Sequence, residues 1–356
     1  MRTYISRFFT QGPADVREFS DALAKGLITP KSIVAIIGKT EGNGGVNDFT
    51  RELAIRALSE VLAPFLDLER HQVEDHIMMS FSGGTEGVVA PHFLVIWRIQ
   101  EFEAPTGPKR LAVAVARTRP FRPDEVGHLP MVAETARCVK ELMQEAQVKP
   151  GDVHFVQIKG AIAPFSPGQK AEPRNNMAYS RGASAIGIAL ALNEIDPTKV
   201  SDEAILQDWD LFSHVASTSA KPGLERSEIL LIGNSAAWSG DLMAAHRVMK
   251  DIIDIEAIRS LFVELGFTGF PLTNDERQRV VGLFAKAEAD RRHLLRGIRH
   301  TMLSDDDISD TRYARCVVGT LLVALSGVSA CYISTRAEHH GPLGGGPIAM
   351  IARTDE

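Results

Sequence analysis

Three lysines close short apolar runs in this chain: Lys39 in IVAIIGK, Lys159 in VHFVQIKG and Lys286 in VVGLFAKAE. Downstream of each stands an arginine behind a hydroxyl residue, as Thr50–Arg51, Ser180–Arg181 and Thr311–Arg312, leading a stretch of small and apolar residues. A serine then follows another apolar run: Ser82 in HIMMSFSGG, Ser235 in EILLIGNSAA and Ser334 in ACYISTRAE. The order Lys, Arg, Ser holds three times. Such a set can do acyl chemistry. A serine hydroxyl is a weak nucleophile until a base takes its proton. A lysine serves as that base once burial and neighbouring cations bring it down from about 10.4 toward neutrality. Arginine forks hold carbonyl oxygens through paired donors. Small residues after the serines, Gly83 and Ala236 among them, let backbone N–H groups approach a ligand as an oxyanion hole requires.

For these residues to converge, the chain needs three similar α/β units about a pseudo-threefold axis. Each unit reads as strand, helix, strand, and the hydroxyl before each arginine fits a helix cap. An arginine in a helix's first turn opposes the helix dipole, which a carbonyl-rich or anionic ligand nearby would offset. Helices are expected near Arg51–Leu62, Val132–Ala146, Ser180–Leu192, Gly240–Lys250, Asp275–Ala289 and Arg312–Leu325. Lys-to-Ser separations of 43, 76 and 48 put an insertion in the middle unit, within Asp202–Ser227. Breaks near Ala104–Lys109 and Lys250–Glu256 divide the chain into units at 1–104, 109–250 and 254–356.

Composition narrows the function further. Lys and Arg total 39 against 45 Asp and Glu, a formal charge of -6, which argues against a dedicated nucleic-acid binder. Cys138, Cys316 and Cys331 show no paired ligand spacing and cannot all be bridged within one chain, so a reducing compartment is expected. No apolar run reaches the roughly 18 residues of a membrane span, and MRTYISRFFT lacks a secretory apolar core; a cytoplasmic protein is expected. Near the end, AEHHGPLGGGP exposes backbone carbonyls that suit Mg²⁺ or Ca²⁺ better than zinc. Glu288, two residues after Lys286, is the candidate carboxylate. A tight turn without metal serves that stretch equally well.

The stretches IIGKTEGNGGVNDFTR, MSFSGGTEG, GNSAA and YIS followed by AEHHGPLGGGP together resemble the ring-opening amidohydrolases, a group comprising cyanuric acid amidohydrolase and barbiturase. The resemblance runs over nearly the whole chain. It implies a central β-barrel surrounded by helices, a homotetramer, and a Ser–Lys pair in each unit: Ser82 with Lys39, Ser235 with Lys159, Ser334 with Lys286. The middle pair inherits the roles of nucleophile and base. The other pairs would bind and polarise ring carbonyls, helped by Arg51, Arg181 and either Arg312 or Arg315. Backbone groups at Gly83, Ala236 and Thr335 would join them. A structural cation would sit on Glu288 with oxygens of Ala337, His340, Gly341, Pro342 and Gly345; His340 stands where the family pattern commonly has Gln. No organic cofactor is implied. The expected reaction opens cyanuric acid to carboxybiuret. Barbituric acid giving ureidomalonate is the alternative, and a noncatalytic protein binding small ureides is the reading from another class.

Overall fold

Short apolar runs that alternate with helical segments three times give three copies of one strand arrangement. The computed structural model describes residues 1–354 apart from 102–104, 106, 166, 167 and 169. The expected unit ends at 104 and 356 lie outside the described residues. The first copy contains β1 (Arg2–Phe9), α1 (Arg17–Ala24), β2 (Ile33–Thr40), α2 (Thr50–Leu66), α3 (Arg70–His76), β3 (Met78–Gly83) and β4 (His92–Ile99). The second contains β5 (Arg110–Arg117), α4 (Leu129–Ala146), β6 (Val153–Ile162), α5 (Met177–Ala191), β7 (Ala216–Pro222) and β8 (Glu228–Ser235). The third contains β9 (Leu242–Met249), α6 (Ile255–Glu264), α7 (Asn274–Arg279), β10 (Val280–Ala287), a small hairpin of β11 (Leu294–Leu295) and β12 (Ile298–Arg299), α8 (Asp310–Ser326), β13 (Cys331–Thr335) and β14 (Gly346–Arg353).

The three main sheets run β1-β4-β2-β3, β5-β8-β6-β7 and β9-β14-β10-β13. In each the order is first, fourth, second, third. The second and third strands are parallel, so a helix must cross between them, and α2, α5 and α8 do so. One face of every sheet enters a common core holding Ile37, Leu94, Val113, Ile158, Leu231, Phe284, Tyr332 and Ile351. The helices pack on the sheets, α2 on β3, α5 on β6 and β7, and α8 on β10 and β13.

This arrangement corrects several expectations. Among the described residues no sheet closes on itself, so the expected central β-barrel is replaced by three open four-stranded sheets that meet through side chains. The stretch 240–250 is a strand, not a helix. Its Ala, Leu and Met favour a helix, yet pairing with β14 along its whole length wins. Because β9 belongs to the third sheet, the second set of strands ends at Ser235 rather than at 250. The stretch 275–289 divides into the short α7 and the buried β10. Strand β7 occupies the later part of the expected insertion at 202–227, whose earlier part, 202–215, lies in the long connection between α5 and β7. Among the described residues no helix is long and apolar enough to cross a membrane.

Sheets two and three are joined by a buried histidine pair. Ala244 fixes the Asn234 amide from both sides, so Asn234 Nδ2 donates to His154 Nε2 at 2.8 Å. The His154 proton must then sit on Nδ1, facing His246 Nδ1 at 2.9 Å. Burial, above all, holds His154 down to about 4 and His246 down to about 3, from 6.5. The unfolded chain therefore takes up protons first on acidification. Stability is expected to fall between about pH 6.5 and pH 4 by roughly 3 kcal/mol for each of the two histidines. Urea unfolding across that range tests this, and His246→Gln should flatten the slope; an equal slope in both proteins would remove the pair from the account.

Candidate active site

Strand register decides which serine belongs to which lysine. Lys39 pairs with Ser82 across β2 and β3, and Lys286 with Ser334 across β10 and β13. Both Nζ atoms lie 3.1 Å from the serine Oγ. The same register position in the second sheet pairs Lys159 with Ser219, not with Ser235. Ser235 ends β8 opposite Arg110, and its hydroxyl donates to the Gln147 carbonyl at 2.7 Å. Lys159 faces Glu228 at the other end of β8, seven residues from Ser235 and therefore about 23 Å away along the strand. Ala236 is exposed. The buried Ala220 stands after the registered serine instead.

A ring of lysine contacts supports this pairing independently. Lys39 Nζ donates to the carbonyl of Ile333 at 2.7 Å, Lys159 Nζ to Phe81 at 3.0 Å, and Lys286 Nζ to Thr218 at 2.6 Å. Each acceptor immediately precedes the serine of a different sheet: Ser334, Ser82 and Ser219. The cycle closes after three steps. It gives Ser219 the same standing as the other two serines. These carbonyls lie on the strands that end each sheet's order, so lysine side chains take contacts that a barrel would give to neighbouring strands.

Ser82, Ser219 and Ser334 line one cavity of about 570 Å³, together with Arg51, Arg181 and Arg315. Gly83 and Thr335 also line it. Gly83 is required sterically, since a Cβ there would lie 1.7 Å from Asp48 Oδ2 and 2.8 Å from Gly44 N. Of the two candidate arginines in the third unit, Arg315 is buried at the cavity wall. Arg312 is half exposed, 3.7 Å from Glu86, and does not line that cavity. Two of the arginines are held by forked carboxylates. Arg181 donates to both oxygens of Glu338 at 2.8 and 2.7 Å, and Arg315 likewise binds Glu86, at 2.6 Å for Nη2. Glu86 and Glu338 each stand four residues after their serine; Gly223 occupies that place after Ser219. Arg51 instead donates to the Gly45 carbonyl and lies 3.6 Å from Asp48.

All three lysines are buried, which disfavours their charged forms. Burial first and the Arg51 cation second bring Lys159 down to about 7. Burial and Arg181 do the same for Lys286, and burial and Arg315 push Lys39 well down. Hydrogen bonding separates them. Lys39 and Lys286 each face two carbonyls and a serine hydroxyl, a setting that occupies all three ammonium protons. Lys159 donates to the Phe81 carbonyl. It can lose a proton without stranding an acceptor set. Ser219 Oγ meanwhile donates to the Ile158 carbonyl at 3.3 Å, a long bond that is easily exchanged.

The profile of the family described as "Amidohydrolase ring-opening protein" matches residues 4–353. The chain belongs to that family. It is 46% identical over 365 residues to the cyanuric acid amidohydrolase of Bradyrhizobium diazoefficiens, covering 99% of this chain and 98% of that one. It is 44% identical to the cyanuric acid amidohydrolase of Enterobacter cloacae over 371 residues, covering 99% and 100%. Among solved structures, a cyanuric acid hydrolase described as an innovation by structural concatenation aligns at TM-score 0.91 with 41% identity, covering 99% of both chains. The cyanuric acid hydrolase of A. caulinodans aligns at 0.88 with 37% identity, covering 100% of this chain and 99% of that one.

The cation site expected in this ring-opening amidohydrolase is corrected. Among the described residues, no group of three or more His, Cys, Asp or Glu could hold a metal ion. The expected ligands have other partners. Glu288 accepts from the Ala337 N–H at 3.0 Å and lies 3.4 Å from Arg291, while Arg291 also reaches Glu338 at 3.4 Å. Two arginines thus neutralise the two carboxylates. His340 Nε2 accepts from the Thr218 N–H at 2.9 Å and its Nδ1 lies 2.5 Å from the Glu338 carbonyl. The loop carrying Gly341, Pro342 and Gly345 is a close-packed turn, in which a Cβ at 345 would meet the Met249 carbonyl at 2.0 Å.

Proposed function

We propose that this cyclic amide hydrolase opens the ring of cyanuric acid at a C–N amide bond, with Ser219 as nucleophile and Lys159 as its base. The observation that carries the reading is the register of Lys159 with Ser219, a serine that lines the cavity shared by three serines and three arginines. Ser219 Oγ attacks a ring carbonyl carbon as its proton passes to Lys159 Nζ. The tetrahedral intermediate collapses with loss of the ring nitrogen, which takes that proton back. Water then cleaves the acyl-serine ester and frees carboxybiuret, which loses carbon dioxide to give biuret. The Ser82–Lys39 and Ser334–Lys286 pairs hold their serines as donors to the remaining carbonyls. The cavity volume falls in the range of about 300–1,000 Å³ usual for small-molecule sites. The names of the relatives support the substrate. The same reading includes a homotetramer, as the family resemblance implies, placed in the cytoplasm on the ground of cysteine usage and the lack of a secretory apolar core.

The weaker carboxylate support of Arg51 favours barbituric acid, opened to ureidomalonate, as the second reading. Barbituric acid keeps three carbonyls but replaces one N–H by CH₂, so it breaks the alternation that three equal subsites would match. One missed polar contact costs roughly 1–3 kcal/mol, or about 5–150-fold in kcat/KM. Purified protein should therefore favour cyanuric acid by that factor when each compound is supplied alone and ring-opened product is followed by chromatography. Faster opening of barbituric acid would reverse the substrate assignment and keep the chemistry. Turnover of neither would return the noncatalytic reading.

A further inference from the structure

Lys159 differs from the other two lysines in what stands across its antiparallel strand pair. Lys39 faces His92 across β2 and β4. The β10–β14 pairing ends at Ala285 and Ile348, leaving Lys286 beyond it. Lys159 faces Glu228 across β6 and β8, so the two side chains leave the same face of the sheet. Arg117 fixes the carboxylate, with Nε and Nη2 both 3.1 Å from Oε1. Arg117 is fixed in turn by the carbonyls of Glu74 and Asp75 at the end of α3. Lys159, Glu228 and Arg117 all line a second cavity, of about 630 Å³, bounded by α2, α3 and the β7–β8 turn. Ser219 lines the first cavity and Lys159 the second.

We propose that Glu228 is a positioning residue for Lys159: its carboxylate, clamped by Arg117 at the wall of the second cavity, sets the proton affinity of that lysine. The inference rests on the proposed role of Lys159 as base. The charges around the lysine come from several elements. Arg51 on α2 and Lys221 on β7 disfavour its protonated form, while Glu228 and Glu52 favour it. Lys221 and Glu52 are themselves paired at 2.9 Å and partly exposed, which weakens the reach of both. Asp48 ahead of α2, Glu225 and Arg226 in the turn, and His71, Glu74 and Asp75 on α3 complete the charged wall. Glu228 is mostly buried, and burial raises its carboxyl while Arg117 opposes that rise. It is the acid on the lysine's own strand pair, where a fixed charge acts with least solvent screening.

The test is the pH dependence of kcat for cyanuric acid, measured on the full chain, because kcat reports groups in the substrate complex. Glu228→Gln removes a negative charge and should move the acid limb to lower pH by roughly one unit. Arg117→Gln removes a positive charge and should move it to higher pH. Glu228→Asp should bring the limb back toward the wild-type position. A purely structural role would lower the melting temperature of all three without opposite shifts. An unmoved limb in Glu228→Gln, or shifts of the same sign in Glu228→Gln and Arg117→Gln, overturns the inference. If Glu228→Gln fails to fold, Arg117→Gln and Glu228→Asp decide alone: an upward shift in the first with none in the second supports it, and no shift in the first sinks it. Lys159→Ala separates the two layers of argument. Turnover surviving that change with the same acid limb removes Lys159 as the base; a dead Lys159→Ala beside an unmoved Glu228→Gln limb removes only Glu228.

Discussion

Ser219→Ala is expected to lower kcat by roughly 10⁴-fold or more, because it removes the atom that would form the acyl bond. The fold should persist, since among the described residues the hydroxyl's bond is the long contact to Ile158. Ser235→Ala makes the contrast. That hydroxyl caps the Gln147 carbonyl at 2.7 Å and accepts from the Ala237 N–H at 3.2 Å, so its loss should cost about 1 kcal/mol of stability and leave kcat unchanged. Ser82→Ala and Ser334→Ala should raise KM and lower kcat less steeply, as losses of carbonyl donors. Rapid quenching followed by mass spectrometry should place an acyl adduct on Ser219. An adduct on Ser235, Ser82 or Ser334 would overturn the assignment, and so would unchanged turnover in Ser219→Ala.

The largest stability effect is expected at the carboxylate that holds Arg181. Arg181 and Glu338 are both nearly fully buried and bound through two hydrogen bonds. Removing one partner of such a pair leaves a charge in the interior at a cost of about 3–5 kcal/mol. Glu338→Ala should destabilise the protein by that amount in urea unfolding, against less than about 1 kcal/mol for a surface pair such as Arg56–Glu60. The pair also has a pH signature. Arg181 holds the Glu338 carboxyl well below the usual range against the opposing effect of burial. This contribution is fully present above the unfolded carboxyl value, about 4.3, and is lost as pH falls through the lower folded value. Glu338→Ala should therefore lose stability less steeply in strong acid than the parent does. Equal stabilities at neutral pH would show that Arg181 finds another partner.

The parts of the site that could be read from residues were those with local hydrophobic signals. IVAIIGK announces a buried strand, VVGLFAKAE does so against the helix expected over Asp275–Ala289, and HIMMSFSGG and ACYIST announce the serine strands beside them. The middle serine was hidden by the chemistry of its strand. ASTSAKP has almost no apolar signature, yet Ala216, Ser217 and Thr218 are buried because their polar atoms are satisfied inside. Ser217 donates to Gln157, and Thr218 bonds His340 and the Arg181 carbonyl. EILLIGNS looked like the better match because an apolar run ends there at a serine, but it is the fourth strand of its sheet rather than the third. Arg315 was separable from Arg312 only by burial, which depends on how α8 is turned against β13. Glu338 stood beside the histidines in plain view; its partner lies 157 residues away, beyond the reach of any local pattern. The barrel failed for a related reason, since sheet closure depends on contacts among edges that no single unit encodes.

The lysine ring also bears on how far the three copies can diverge. Every amino acid carries a main-chain carbonyl, so the acceptors at Phe81, Thr218 and Ile333 can change side chain without breaking the circuit. What cannot change freely is the path of the strand that offers them. A substitution that shifts one serine strand by a residue exchanges the two faces of that strand and withdraws the acceptor used by a lysine in another copy. Drift in letters is therefore tolerated while drift in register is shared among all three, which is how copies with so little sequence in common can keep one geometry.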